Sequence, residues 1–133
     1  MLTVLQDFNG LLLFGVYLST GVAMLVAFTW LYLRITPYDE AAEISKGHMA
    51  PAIALAGAML GFTFPLLAAS YTHSNFIGFL AWGVLSCLVQ LLAFWIMHGL
   101  LPRVIETNNV AGATCFAAAS VCVGLLNAAS FIP

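Results

Sequence analysis

The charged positions of this chain fall in a few clusters, separated by long apolar runs. Residues 8–33, 47–102 and 107–133 contain no Asp, Glu, Lys or Arg. A membrane-spanning helix needs about 20 predominantly apolar residues. The first and third runs each accommodate one such helix. The middle run accommodates two, divided by the polar stretch Ser70-Tyr71-Thr72-His73-Ser74-Asn75. The pattern predicts spans near 9–34, 48–70, 76–101 and 109–131. The first reads as a retained span rather than a cleaved signal. Asp7 precedes it, no Lys or Arg does, and its apolar run exceeds the roughly 7–15 residues of a signal core.

Composition agrees. The chain is 63% hydrophobic and 6% charged, whereas soluble domains carry roughly 25% charged residues. A soluble fold of 133 residues cannot hide that much apolar surface. The expected fold is all-α: one transmembrane domain over 1–133, a four-helix bundle with the lipid bilayer as its solvent. Three Lys+Arg and a net charge of −2 exclude a phosphate-tracking surface, so no nucleic-acid partner is expected.

Those three cations orient the chain. Arg34, Lys46 and Arg103 lie in the linkers after the first and third spans. The positive-inside rule counts Lys and Arg and largely ignores Asp and Glu. It places loops 35–47 and 102–108 in the cytoplasm and both termini outside. Trp30, Tyr32 and Tyr38 on one side, and Tyr71, Phe76 and Trp82 on the other, fit interfacial belts.

Within the first linker, Thr36-Pro37-Tyr38-Asp39 has the form of a capping box with Pro at the first helical position. Glu40 to Lys46 continues as a short surface helix with Glu43 and Lys46 spaced for a pair. Asp39, Glu40 and Glu43 read as a solvated acidic face, with a cation or basic partner as the competing reading.

The chain repeats itself. Gly47-His48-Met49-Ala50-Pro51-Ala52 opens the second span, and Asn108-Asn109-Val110-Ala111-Gly112-Ala113 opens the fourth. Both spans close alike, in Ala68-Ala69-Ser70 and Ala128-Ala129-Ser130. The halves, about 9–70 and 75–131, each hold two spans. They therefore run parallel, related by an axis along the membrane normal. The second and fourth spans are rich in small residues, among them Gly57, Gly61, Ser120 and Gly124. Such stripes let backbones approach closely, which predicts these two spans at the bundle centre or, alternatively, at an interface between copies. Pro65 leaves the Gly61 carbonyl without its helical donor, giving either a kink beside a polar cavity or a tolerated bend. A bundle of four short spans predicts a homo-oligomer.

Candidate chemistry is sparse. Gln90 and Asn127 are amides within spans and are expected to point into the bundle, as interhelical glue or as a polar path. No carboxylate lies inside a span, which weighs against a proton- or cation-coupled transporter. His48 and His98 fall at the inner boundary, where Glu43 or Glu106 offers oxygen ligands, but the spacing is not that of a metal site and none is expected. His73, in the central hairpin, reads as solvated. Asn108 and Asn109 read as helix caps or, less simply, as an anion site. Cys87, Cys115 and Cys122 read as small packing residues. The phosphate-loop, Gly-x-Ser-x-Gly, His-Glu-x-x-His and Cys-x-x-Cys motifs are absent from the sequence, and no enzyme activity or cofactor is expected.

Ile35-Thr36-Pro37, the segment Ala52-Ile53-Ala54-Leu55-Ala56-Gly57-Ala58-Met59-Leu60-Gly61-Phe62, Trp82-Gly83, Gln90-Leu91 and Asn127-Ala128-Ala129 resemble the YjfL-like inner-membrane proteins. The resemblance covers nearly the whole chain. It implies a bacterial inner-membrane location and a duplicated two-helix unit of unknown function, with no functional residues to carry over. The chain departs from that pattern at His48, where the repeat opening would carry Asn. The missing catalytic groups, the compact loops and the Gly57-x-x-x-Gly61 stripe lead to the reading of a non-enzymatic subunit or scaffold of an envelope complex, assembled through that stripe, with other membrane-protein subunits as partners. The rival reading is a homo-oligomeric channel or passive transporter for a small solute or ion.

Overall fold

Each apolar run folds as helix, because in lipid every backbone polar group must be satisfied within its own segment. The computed structural model describes residues 1–72 and 75–132; the hairpin residue His73 lies outside the described residues. Among the described residues there are five helices: α1 (Leu2–Ile35), α2 (Glu40–Ser45), α3 (Met49–Thr72), α4 (Phe76–Leu100) and α5 (Val110–Ala129). All but α2 are long and apolar enough to cross a membrane. The chain is a four-helix membrane bundle.

The four spans meet with both linkers at one end and the central hairpin at the other. At the linker end Asn108 reaches the start of α3. At the hairpin end Tyr17 of α1 meets Phe76 and Phe79 at the start of α4, with ring centroids 6.0 and 5.2 Å apart. The most extensive packing joins α3 to α5; α4 covers one side of this pair, and α1 lies against α3 and α4. An aromatic seam fastens α1. Phe28 stacks on Phe62 of α3 at 4.5 Å, and Tyr32 meets Phe94 of α4 edge-on at 4.9 Å.

Three expectations need correction. First, α1 begins at Leu2, not near residue 9, because Thr3, Gln6 and Asp7 do not interrupt a run of good helix formers. Every residue before Tyr17 is exposed, and this segment continues about 20 Å past the level of Phe76 at 1.5 Å per residue. Second, the capping box does not form. Asp39 caps α2, accepting from the Ala42 N–H at 3.1 Å, while the Thr36 N–H closes the last turn of α1 on the Tyr32 carbonyl. Pro37 biases the preceding Thr36 to extended backbone, so α1 ends there. Third, Glu40 is not on a solvated face: it is 1% exposed.

The two linkers end in the same turn. In the first, the Gly47 N–H bonds the Ile44 carbonyl and the His48 N–H bonds the Glu43 carbonyl. In the second, the Asn108 N–H bonds the Ile105 carbonyl and the Asn109 N–H bonds the Val104 carbonyl. Each is a Schellman turn, whose C′ residue takes left-handed backbone. Gly47 sits there at φ 86° and Asn108 at φ 50°, the two residue types that tolerate it best.

Candidate functional site

Buried polar groups gather at mid-bundle and at the linker end among the described residues. At mid-bundle, α3, α4 and α5 converge on Gly61. Gln90 of α4 is 1% exposed, and its Nε2 donates to the Ser120 carbonyl of α5 at 2.8 Å. Its Oε1 is buried and accepts no hydrogen bond. A Cβ on Gly61 would overlap both the Gln90 amide and the Ser120 carbonyl, and one on Gly57 would overlap Ala117. A Cβ on Gly124 would overlap the Gly61 carbonyl, the group that Pro65 deprives of its helical donor. A glycine hydrogen therefore faces that carbonyl, in the place of a weak Cα–H···O contact. Pro65 is buried and α3 continues through it.

The small-residue stripe is thus consumed within the chain, between α3 and α5. On the outward side of that pair it leaves an apolar groove of about 500 Å³ lined by Ala56, Gly57, Ala117 and Ala118 among others. Asn127, expected to point into the bundle, is only partly buried, although its Nδ2 is enclosed and has no partner. Seven residues of helix, about 10 Å, separate it from Ser120, so the two amides lie at different depths.

The second locus is at the linker end. Asn109 caps its own helix, accepting from Gly112 N–H at 3.1 Å. Asn108 instead caps α3, accepting from Ala50 N–H at 3.0 Å. His48 does not approach His98 through any bond among the described residues. Its Nδ1 lies 2.5 Å from Glu43, which also pairs with Lys46 at 2.9 Å. His98 stacks on Phe94. No cluster of three metal-ligating side chains forms among the described residues. The Lys46 and His48 partners hold the Glu43 carboxyl below its ordinary range.

Glu40, read from the sequence as part of a solvated acidic face with a cation or basic partner as the alternative, is buried instead. It opens α2 and turns inward beside Tyr32 of α1 and Tyr38 of the connecting turn. Both phenols approach the carboxyl, yet neither Oε atom of Glu40 nor the Tyr38 hydroxyl completes a hydrogen bond of normal geometry. Burial raises the Glu40 pKa to about 7, against the opposing pull of the two phenols; no cation acts on it. Burial and the neighbouring Glu40 together push the Tyr38 hydroxyl up, with a smaller push from Glu106. Arg34 lies over the Trp30 ring and Lys46 is held by Glu43, so both are engaged elsewhere. The signal in the sequence was the spacing of Glu40 and Ile44, which puts them on one face of α2, with Glu43 and Lys46 on another.

This bundle is similar to known membrane proteins. Residues 6–131 match the family described as Domain of Unknown Function (DUF350). The chain is 33% identical over 125 residues to "UPF0719 inner membrane protein YjfL" of Escherichia coli strain K12, covering 91% of this chain and 94% of the relative. The protein of the same name from Escherichia coli O157:H7 matches to the same extent. "UPF0719 transmembrane protein YshE" of Bacillus subtilis strain 168 is 31% identical over 101 residues, covering 74% of this chain and 75% of the relative. No solved structure matches. With four spans and a match from residue 6 to residue 131, the chain belongs to the DUF350 family, as a multi-pass inner-membrane protein.

Proposed function

We propose that this protein is a non-enzymatic subunit or scaffold of an envelope complex, assembled through α1. The observation that carries this reading is the first half of α1. Leu2, Val4, Leu5, Phe8, Leu11 and Leu12 are all more than half exposed, on a helix that continues past the hairpin end of the bundle. Apolar surface beyond the other spans favours a protein partner, either a second copy or another subunit. The stripe at Gly57, Gly61 and Gly124 is already occupied between α3 and α5, so assembly is assigned to α1 and not to the stripe. In this reading the linker end, which holds Arg34, Lys46 and Arg103, faces the cytoplasm. The matching Schellman turns support a duplicated two-helix unit as the origin of the two halves.

The test is mass measurement by light scattering and native mass spectrometry on protein extracted in lipid nanodiscs. A stoichiometric assembly, lost on replacing Phe8 and Leu12 by Ser, supports the reading. A monomer without partners under these conditions overturns it. A second reading, a homo-oligomeric channel or passive transporter, draws on the buried and unpartnered Gln90 Oε1 and Asn127 Nδ2. It requires that Gln90→Leu and Asn127→Leu change a measured flux of solute or ion.

A further inference from the structure

The linker end holds a buried acid that no ion pair among the described residues involves. Glu40 is 1% exposed, both carboxyl oxygens are enclosed and unpartnered, and the Tyr38 hydroxyl beside them is enclosed and unpartnered too. An ionised carboxylate in such a place requires a cation or several donors. Neither is there. The groups that face it are Tyr32 from α1 and Tyr38 from the turn; Glu106 of the second linker acts on Tyr38 and brings no positive charge. A proton answers this arrangement without needing a cavity: it neutralises the acid and supplies the missing donor.

We propose that Glu40, enclosed by Tyr32 and Tyr38, is a proton-binding site, loaded while α2 is docked on the bundle, and that loss of the proton to water releases α2. The inference is independent of the subunit reading above. Release is mechanically simple. α2 has six residues, too few to hold as an isolated helix in water. It is docked through its inward face and bounded by a turn at each end, with Gly47 at φ 86° on one side. When Glu40–COOH gives its proton to water, the remaining carboxylate gains solvation by swinging out.

The sign follows from the two states. Released, Glu40 ionises near its ordinary 4.5; docked, near about 7. The docked form binds the proton more tightly, so docking is strongest at acid pH. It weakens up to tenfold per pH unit as pH rises from 4.5 towards 7, and levels off above.

The experiment uses the full chain in nanodiscs. Hydrogen exchange of residues 40–48, corrected for intrinsic rate, is followed from pH 5 to pH 8.5 together with the infrared band of a protonated carboxyl. The expected result is a carboxyl band that fades with rising pH and is missing in Glu40→Gln, alongside exchange that rises with pH in the wild type. In Glu40→Gln, which mimics the loaded state, exchange stays low throughout. Tyr38→Phe provides a second arm should Glu40→Gln fail to fold. Because the Tyr38 hydroxyl pulls the Glu40 value down, its removal moves the midpoint to higher pH. A carboxyl ionised across the whole range, exchange that ignores pH, or an unmoved midpoint in Tyr38→Phe each overturns the proposal. So does a midpoint set by sodium or potassium concentration, which would mean a metal cation in place of the proton.

Discussion

The side-chain oxygen of Asn108 accepts a hydrogen bond from the backbone N–H of Ala50 at 3.0 Å, joining the second linker to the first turn of α3 across 58 residues of chain. The first N–H groups of a helix have no partner within it. Ala50 is fully buried, so water does not serve its N–H. Asn108 supplies the acceptor from another part of the chain and does so from left-handed backbone. Asn108→Ala therefore loses a cap and strains a turn together. The expected cost is about 2 kcal/mol in a reversible unfolding titration in mixed micelles. Asn108→Gly keeps the backbone and loses the cap, so it should fall near 1 kcal/mol. Equal costs for the two variants would mean that the left-handed turn at residue 108 adds no strain to the Ala variant.

The α3–α5 contact depends on missing side chains. Gly61→Ala and Gly124→Ala each press a methyl group into backbone of the opposing helix, and backbone cannot rotate aside. Each is expected to cost about 1–3 kcal/mol in the same titration. Gly21→Ala is the control. Nothing lies within 4 Å of a Cβ there, and the better helix propensity of Ala predicts a change of zero or a gain of up to about 1 kcal/mol. A loss at Gly21 equal to that at Gly61 would show that the cost is not a matter of the crossing.

The spans were legible because a bilayer imposes one length and one polarity on every segment that crosses it. The starts of α3, α4 and α5 follow the prediction closely, Asn109 caps as expected, and Glu43 pairs with Lys46. What was not legible depends on which side of a six-residue helix meets the bundle. Asp39-Glu40-Ala41-Ala42-Glu43 is an acidic stretch on paper, and such stretches are ordinarily solvated. Tyr32 and Tyr38 create a place for Glu40; the Glu40–Ile44 spacing marks one face of α2 but does not say that this face meets the bundle. The inter-linker cap was hidden similarly, since Asn108 and Asn109 are adjacent and equivalent as residue types. Only the turn geometry sends one to its own helix and the other to α3.

Glu43, three residues from Glu40, should behave oppositely. Its carboxyl is held below the ordinary range by Lys46 and His48. A depressed pKa contributes stability that is present above the ordinary carboxylate value and is lost as pH falls through the lowered one. Exposed pairs of this kind contribute little. Glu43→Gln should leave the unfolding midpoint unchanged within error near pH 7, and it should remove only the acid-side part of the pH dependence. A large loss at neutral pH would mean that the Glu43–His48 contact anchors the start of α3.

Gln90 separates structural glue from a polar path. Its Nε2 holds the Ser120 carbonyl, and its Oε1 is buried with no donor. Interhelical hydrogen bonds in membranes average about 0.6 kcal/mol, while an unpartnered buried acceptor costs about 1–3 kcal/mol. Gln90→Leu removes both, so its net effect on stability is expected within about 1 kcal/mol of zero, with a gain as the more natural sign. Gln90→Ala removes both and leaves a void where α3, α4 and α5 meet, for an expected loss of about 2–4 kcal/mol. If Leu is as costly as Ala, then Oε1 has a partner in the membrane, water or solute, and the polar path gains weight. If Leu is neutral and Ala is not, side-chain volume is what α4 contributes at this depth, and the amide serves packing.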